Sequence, residues 1–183
     1  MWRNMKLEDN MMTFDEFLSY YNDEDTYVRR NGEDPAAIIY SGGTTGKPKG
    51  IIISNANFNA MAEQTYALCD AIRPGNSVLS ALPIFHVFGL AICCHACLTA
   101  GMTCIILPKI NTKNINGELK KHKPNVFPAV PSLLRLSLQQ GGLKSNDLDF
   151  LKLVVVGGDY LPPELRKEFI EFAHKHGSDT TIE

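Results

Sequence analysis

The sequence carries almost no excess of charge of either sign. Its 183 residues include 18 Lys and Arg against 20 Asp and Glu, a formal net charge of −2, and no long basic block occurs. Nucleic acids and anionic membranes both attract clustered basic residues, so neither is an expected partner. With 44% hydrophobic and 21% charged residues, the composition is that of a globular domain rather than a disordered chain.

Long apolar runs are also missing. The most apolar stretch, residues 78–107, is interrupted by Pro83, His86, Gly89, His95 and Gly101. No part of it reaches the roughly 18 uninterrupted apolar residues of a membrane-spanning helix. We therefore predict that this stretch is core and that the chain has no integral membrane segment. Residues 1–21 mix charged and apolar side chains, unlike a secretory signal.

The five cysteines lack the even number and regular spacing of a disulfide framework, which predicts a reducing, cytoplasmic setting. The segment Cys93–Cys97, with Cys104 nearby, contains one C-x-x-C pair, which could indicate zinc or a redox dithiol. A structural zinc site normally needs a second pair at a usable distance, and the sequence offers none. We predict no metal ligands here and interpret these cysteines as small hydrophobic residues of an apolar helix.

One turn is rich in glycine, hydroxyl and lysine residues. Residues 40–50 read Tyr-Ser-Gly-Gly-Thr-Thr-Gly-Lys-Pro-Lys-Gly and follow the apolar run 36–39. Glycine lets a backbone approach a ligand closely, and successive N–H groups can then form an anion nest. Hydroxyl groups and a lysine ammonium add donors and positive charge. The turn suits a polyphosphate, and its candidate binding residues are Ser41, Gly42, Gly43, Thr44, Thr45 and Lys49.

Two common phosphate-binding patterns do not fit this turn. G-x-x-x-x-G-K-[ST] fails because Pro48 follows Lys47, and G-x-G-x-x-G fails because Ser41 stands at its first glycine. The turn instead resembles [YF]-[TS]-S-G-[ST]-T-G-x-P-K-G of the acyl-adenylating superfamily, which includes acyl-CoA synthetases, 4-coumarate–CoA ligases, firefly luciferase and peptide-synthetase adenylation domains. It departs at Gly42, where serine is usual, so one hydroxyl donor is missing. The structural alternative is a plain flexible turn between two strands.

A second segment, Leu82–Gly89, resembles the L-P-x-F-H-x-x-G motif of the same superfamily. The resemblance implies that His86 lies beside the substrate carboxylate and the adenylate phosphate. The alternative is a histidine that only bonds to the backbone of a strand-to-helix turn. Members that activate amino acids carry an aspartate in this region, but no acidic residue occurs between Arg73 and Leu107. A fatty or aryl carboxylic acid is therefore favoured over an amino acid.

A third segment, Leu153–Pro162, resembles the superfamily's strand that ends in a small-residue turn. The resemblance implies that Gly157, Gly158 and Asp159 lie against the adenine and the acyl carbonyl. Small residues are needed there because the backbone itself forms the wall of the site. A plain strand–turn–helix connection is the alternative.

Short apolar runs alternate with helical segments from residue 36 onward. Strands are expected at 36–40, 51–53, 78–81, 102–107, 126–129 and 151–156, the first of them buried. Helices are expected at about 55–71, 88–100, 114–121, 131–140 and 163–174. This order predicts an α/β fold with a mostly parallel, helix-covered sheet, part of the large N-terminal adenylating domain. Residues 1–34 are interpreted as a polar helix and loop lead-in, and residues 35–183 as an incomplete AMP-binding domain.

The resemblance implies a two-step reaction. A carboxylate attacks the α-phosphate of ATP to give an acyl adenylate and pyrophosphate, and coenzyme A as co-substrate then takes the acyl group. His86 and Lys49 are the candidate catalytic residues, with Lys49 neutralising the departing pyrophosphate.

Residues Thr180–Glu183 look like the approach to the superfamily's Y-G-x-T-E motif, whose acid usually holds Mg²⁺. We therefore expect the main Mg²⁺ ligand beyond residue 183, no C-terminal domain in this chain, and a fragment that is inactive alone. A non-catalytic truncated module that binds a nucleotide or a partner is the alternative.

Overall fold

The computed structural model describes residues 12–20, 28–41 and 48–183. The chain divides into two compact units, Met1–Arg30 and Asn31–Glu183. In the first unit, helix α1 (Phe14–Ser19) begins at Thr13, whose hydroxyl accepts a hydrogen bond from the Glu16 backbone N–H at 3.1 Å. This N-cap explains why the short amphipathic run 14–18 forms a helix, as predicted.

The second unit contains all the strands described. They are β1 (Pro35–Ser41), β2 (Lys49–Ser54), β3 (Ser77–Ser80), β4 (Thr103–Ile106), β5 (Val126–Ala129), β6 (Leu153–Val156) and β7 (Thr181–Ile182). Five of them form a parallel sheet in the order β4-β3-β5-β6-β7. The predicted α/β fold class with a parallel sheet is confirmed.

Helices connect these strands. They are α2 (Asn55–Leu68), a π-helix (Phe88–Ala96) that continues into α3 (Cys97–Thr99), α4 (Ile115–His122), α5 (Pro131–Gln139) and α6 (Pro163–Lys175). Their first residues follow the sequence signals: the Ser54 hydroxyl caps α2, the Asn114 side chain caps α4, and Pro131 occupies the first turn of α5. No helix among the described residues is long and apolar enough to cross a bilayer.

The alternation of side chains along the strands divides the core between the two faces of the sheet. Leu79, Phe127 and Val154 belong to the core cluster that includes α4, α5 and α6. Their sequence neighbours Val78, Val126 and Leu153 belong to a second cluster with Cys97 and Met102 on the opposite face. Both faces are covered, so near-continuous apolar runs suit these strands.

Strands β1 and β2 form a separate antiparallel hairpin, in which Ile38 pairs with Ile52. The prediction of a buried first strand is wrong, because Ile38 is 59% and Tyr40 is 70% exposed. The pleat turns alternate side chains to opposite faces. Only the face that carries Ala37 and Ile39 is half-buried. The apolar run suggested burial of both faces of the strand, but only one face is covered.

The predicted helix 88–100 is present, but its first part has the wider turns of a π-helix. Two thiols bond to carbonyls in this segment. The Cys97 Sγ donates to the Ile92 carbonyl and the Cys104 Sγ to the Cys93 carbonyl, both at 3.2 Å. All five cysteines are free, and the described part of the chain contains no cluster of three His, Cys, Asp or Glu side chains able to hold a metal ion.

Candidate active site

The residues after β3 make a tight bend that leads into the π-helix. The His86 backbone N–H donates to the Pro83 carbonyl at 3.1 Å, and the Leu90 N–H donates to the His86 carbonyl at 3.0 Å. Gly89 is buried against this bend, and a Cβ added to it would overlap the Pro83 carbonyl oxygen. The glycine of the L-P-x-F-H-x-x-G segment is therefore required by the close approach of two backbone segments.

This bend and the carboxyl end of β6 line an open cavity of about 340 Å³. Parallel sheets bind ligands beyond the carboxyl ends of their strands, and the volume is within the range of small-molecule sites. The cavity lies between the first turns of the π-helix, the turn after β6 and one side chain of α2. Its lining residues are Met61, His86, Val87, Phe88, Ala91, Ile92, Val155, Val156, Gly157 and Gly158.

Gly157 and Gly158 form one wall of the cavity with their backbone. The Gly157 N–H donates to the Ala129 carbonyl at 3.2 Å, which ties the turn to the neighbouring strand β5. A Cβ on Gly157 would lie 3.0 Å from Phe88 Cε1, so the aromatic ring packs directly on this backbone. Gly158 has a φ of +82°, which side chains other than glycine rarely adopt.

His86 combines a backbone contact with a place in the cavity wall. Its Nδ1 accepts a hydrogen bond from the Phe88 backbone N–H at 3.1 Å, and the ring lines the cavity. The Phe88 N–H lies in the first turn of the helix, where such groups lack an intrahelical acceptor. The backbone-bonding role considered for this histidine is therefore present, and its ring also lines the cavity.

Asp159 lies apart from this group. It is exposed, its Oδ1 accepts a hydrogen bond from the Tyr160 backbone N–H at 2.7 Å, and it is not among the residues that line the cavity. Of the predicted residues in the second and third segments, the structure brings together His86, Gly157 and Gly158.

Ser41 and Lys49 lie at one end of the β1–β2 hairpin, where they are register partners. Lys49 is exposed and Ser41 is half-buried. The other predicted phosphate-binding residues, Gly42, Gly43, Thr44 and Thr45, lie outside the described residues. The strand prediction on both sides of the turn is confirmed by the hairpin.

Cys93 and Cys97 are buried and Cys104 is half-buried, and none of the three carries a sign of nucleophilic activation. Burial raises the pKa of the Cys97 thiol from 9.0 to about 12, and neighbouring thiols add to the effect. Burial also raises the pKa of Cys104, to about 11, and raises that of Cys93. Redox-active cysteines need a lowered pKa, so these thiols fit the role of core residues.

Sequence reasoning missed most of the apolar lining of the cavity. Val155 and Val156 were assigned only to a strand, although their position directly before Gly157 could have placed them at the site. Ala91 and Ile92 follow Phe88 by three and four residues, about one helical turn, which is a usable signal once the helix is known. Met61 reaches the cavity from α2, and nothing in its local sequence points there.

Comparisons with known proteins identify the family of the chain. A family model described as AMP-binding enzyme matches residues 4–178. The long-chain-fatty-acid–CoA ligase of Bacillus subtilis is 34% identical over 74% of this chain and 24% of its own length. The 4-coumarate–CoA ligase-like 9 of Arabidopsis thaliana is 30% identical over 87% of this chain and 30% of its own length. The chain thus spans about a quarter to a third of these relatives.

Solved structures show the same fold. ATP-bound MatB from Rhodopseudomonas palustris is 25% identical, with a TM-score of 0.75 over 86% of this chain and 31% of that chain. The N-terminal domain of FACL13 from Mycobacterium tuberculosis, at 23% identity, has a TM-score of 0.74 over 92% of this chain and 40% of that chain. The family model spans nearly the whole sequence, and the solved structures share its fold. This chain belongs to the AMP-binding enzyme family.

Proposed function

We propose that this chain carries part of a site that activates a carboxylic acid with ATP. In the proposed reaction the carboxylate attacks the α-phosphate to give an acyl adenylate and pyrophosphate, and the acyl group then passes to the thiol of coenzyme A. Family membership supports the adenylation step. The names of the relatives, a long-chain-fatty-acid–CoA ligase and a 4-coumarate–CoA ligase-like protein, support coenzyme A as the acceptor.

The single observation that carries the proposal is that two distant motifs line one cavity. His86 comes from the bend after β3, and Gly157 and Gly158 come from the turn after β6. A plain strand–turn–helix connection would not require Gly157 to support the Phe88 ring. We assign the glycine backbone to the wall against the adenylate and His86 to the carboxylate and phosphate end. Asp159, turned toward Tyr160, keeps only a candidate role at the adenine.

The phosphate-binding part of the proposal rests on the hairpin and on the sequence between its strands. Ser41 and Lys49 pair across its end, so the intervening glycines and threonines connect two strands whose ends lie together. We propose that Ser41, Gly42, Gly43, Thr44 and Thr45 hold the β- and γ-phosphates. The exposed Lys49 ammonium would neutralise charge on the departing pyrophosphate, an electrostatic rather than covalent contribution.

The lining of the cavity supports a simple carboxylic acid as the substrate. Among the described residues that line it, none carries a carboxylate, and the sequence has no acid between Arg73 and Leu107. An amino acid would bring an ammonium group into this apolar space without a partner, at a cost of several kcal/mol. Phe88, Ile92 and the valines of β6 instead suit a fatty or aryl group.

We propose the full reaction for a protein of the length of these relatives, not for the 183 residues alone. Because this chain spans about a quarter to a third of their length, we expect thioester formation to need residues outside these 183. The described residues supply no set of three side chains for Mg²⁺, so the proposal assigns the ion no step. A cytoplasmic location is part of the proposal, and the five free cysteines support it.

Calorimetric titration with ATP, and with a non-hydrolysable acyl-adenylate analogue that carries an apolar acyl group, tests this function. We expect Lys49→Ala to weaken ATP binding by about tenfold or more, since hydrogen bonds to charged groups contribute about 1.5–3 kcal/mol. Lys47→Ala is the matched control, because its position in the motif is variable, and it should bind ATP as the wild type does. Equal losses in the two variants would contradict the assignment of Lys49.

Binding of both ATP and the apolar acyl-adenylate analogue supports the enzyme fragment, whereas binding of ATP without the analogue supports the nucleotide-binding module. ATP–pyrophosphate exchange over a panel of fatty, aryl and amino acids tests the expected inactivity of the fragment. Robust exchange by these 183 residues would overturn that expectation, and its dependence on an apolar acid would support the proposed substrate class. No binding of either ligand would overturn the proposed function.

A further inference from the structure

We infer that Cys97 and Cys104 are positioning residues for the 340 Å³ cavity, because their thiols hold the wide turns of the π-helix that carries part of its lining. The inference rests on the proposed function for the identity of the ligand. Neither cysteine is among the residues that line the cavity, so each acts through the helix backbone.

The two thiols donate to successive carbonyls near the end of the π-helix. Cys97 Sγ donates to the Ile92 carbonyl and Cys104 Sγ to the Cys93 carbonyl, both at 3.2 Å. The Cys97 backbone N–H donates to the Cys94 carbonyl, whereas a π-helical bond would join it to Ile92. The thiol of Cys97 therefore gives the Ile92 carbonyl a donor that the Cys97 backbone does not.

A third side chain bonds to the backbone where the π-helix gives way to α3. The Thr99 hydroxyl donates to the carbonyls of His95 and Ala96, both at 3.0 Å. Side-chain donors compete with the regular hydrogen bonds of a helix and can change its course. Together with the two thiols, they reach the carbonyls of residues 92, 93, 95 and 96. The change of helix type therefore depends on side chains at this junction.

Both ends of the π-helix are attached to the parallel sheet. At the far end, Cys104 belongs to β4, and Cys94 Sγ lies 3.4 Å from Ser80 Oγ at the end of β3. At the near end, the Phe88 ring packs on Gly157 after β6. The segment between these attachments cannot change its turns without a shift at one end.

Ala91 and Ile92 lie in that segment and line the cavity. A π-helix closes each hydrogen-bonded ring over one more residue than an α-helix does. Replacement of a wide turn by an α-helical turn would therefore rotate these two side chains relative to Phe88. Ile92 is the most direct link, because its carbonyl accepts the Cys97 thiol while its side chain lines the apolar part of the site.

Infrared spectroscopy of the S–H stretch tests the thiol–carbonyl bonds on the 183-residue protein without a ligand. A hydrogen-bonded S–H absorbs at a lower frequency than a free one. We expect the low-frequency part of the band to shrink in Cys97→Ala and in Cys104→Ala, but not in Cys69→Ala. A low-frequency band that is unchanged in the first two variants would overturn the inference.

Two acyl-adenylate analogues, one with a straight alkyl chain and one with an aryl group, test the positioning role by calorimetry. The ratio of their affinities reports the shape of the cavity, whereas a general loss of stability would weaken both alike. We expect this ratio to change by about threefold or more in Cys97→Ala and Cys104→Ala. In Cys97→Ser and Cys104→Ser, whose hydroxyl can donate to the same carbonyl, it should stay within about twofold of the wild-type ratio.

An unchanged ratio in the alanine variants, or serine variants that change as the alanine variants do, would overturn the positioning role. Urea denaturation checks that each variant is folded. Cys97 is 1% exposed, so Cys97→Ala has the greater risk of not folding. The half-buried Cys104 then gives the same test alone.

Cys69→Ala is the matched control, because it removes a half-buried thiol at the end of α2 that does not line the cavity. Its affinity ratio should equal that of the wild type, and a change as large as in Cys104→Ala would overturn the inference. Failure of the wild type to bind either analogue would overturn the proposed function and with it the link to a ligand. The infrared measurement would still decide whether the thiols hold the helix.

Discussion

The aromatic ring of Phe88 packs on the backbone of Gly157, where a Cβ would come within 3.0 Å of Phe88 Cε1. The two residues belong to sequence segments that are far apart and that resemble separate motifs. Their contact joins the start of the π-helix to the turn after β6 and forms one side of the cavity. The shape of the cavity therefore depends on the absence of a side chain at Gly157 as much as on any functional group.

Gly157→Ala should reduce the cavity. The added methyl group can be accommodated only if the Phe88 ring moves, because 3.0 Å is tighter than an ordinary carbon–carbon contact. We expect affinity for an acyl-adenylate analogue to fall by about tenfold, with a loss of about 1–3 kcal/mol in the free energy of unfolding. Calorimetry and urea denaturation measure the two effects.

Gly141→Ala is the matched control for this change. Nothing lies within 4 Å of a Cβ at Gly141, and the residue is exposed after α5. Its affinity and stability should equal those of the wild type. Unaltered analogue binding in Gly157→Ala would show that the ring contact does not shape the site.

Gly89→Ala should harm the fold more than Gly157→Ala does. A Cβ here would overlap the Pro83 carbonyl oxygen and come 2.9 Å from the Leu82 carbonyl oxygen. Both atoms belong to the backbone, so no side-chain rotation can relieve the overlap, and the bend itself must shift. We expect a loss of about 3 kcal/mol in unfolding free energy, measured by urea denaturation. A midpoint equal to that of Gly157→Ala would contradict this ranking.

Asn116→Ala should destabilise the protein through a buried polar network. Asn116 is 2% exposed. Its Nδ2 donates to the carbonyls of Ser137 and Gln140 at 3.0 and 2.9 Å, and its Oδ1 accepts from the Ser137 hydroxyl at 2.6 Å. Alanine leaves the two carbonyls and the Ser137 hydroxyl without these partners, and we expect the free energy of unfolding to fall by about 1–3 kcal/mol. Exposed Gln139→Ala in α5, the helix that carries Ser137, should have little effect. A double-mutant cycle of Asn116→Ala with Ser137→Ala should show coupling rather than additivity.

The buried thiols should make the protein sensitive to alkali. The pKa of Cys97 rises from 9.0 to about 12 on folding because the thiol is buried. Between these values the folded state keeps a proton that the unfolded state has lost, so the free energy of unfolding falls as pH rises. Well below pH 9.0, where the folded and the unfolded states both keep the proton, this thiol contributes no pH dependence. The slope should reach at most about 1.4 kcal/mol per pH unit for this group.

Cys97→Ala isolates that effect. The variant should be less stable than the wild type at about pH 8 because of the smaller side chain, but its stability should fall less steeply between about pH 8 and pH 10. Urea denaturation of both proteins at the two pH values measures the difference. Identical pH dependence would show that the Cys97 thiol ionises in the folded state as readily as in the unfolded state.

Local signals were sufficient for most elements and for part of the site. The Ser54 cap, the proline at the start of α5 and the β-branched run before Gly157 act within a few residues, so the boundaries of these elements could be predicted to within a few positions. The burial of the hairpin strand β1 was predicted wrongly. An apolar run indicates that burial is favourable, but it does not indicate which faces of the strand other elements will cover.

The sequence by itself determined the alternation of strands and helices, the glycine positions where backbone must approach backbone, and the motifs by which the family is recognised, because all of these depend on short-range geometry. Only the tertiary structure decided that His86 Nδ1 accepts a hydrogen bond from the Phe88 N–H at the start of the next helix. It also decided that Asp159 is not among the residues that line the cavity and that Met61 is. Those facts depend on how the π-helix, α2 and β6 pack together. Contacts between segments that are distant in sequence cannot be predicted from the residues next to any one position.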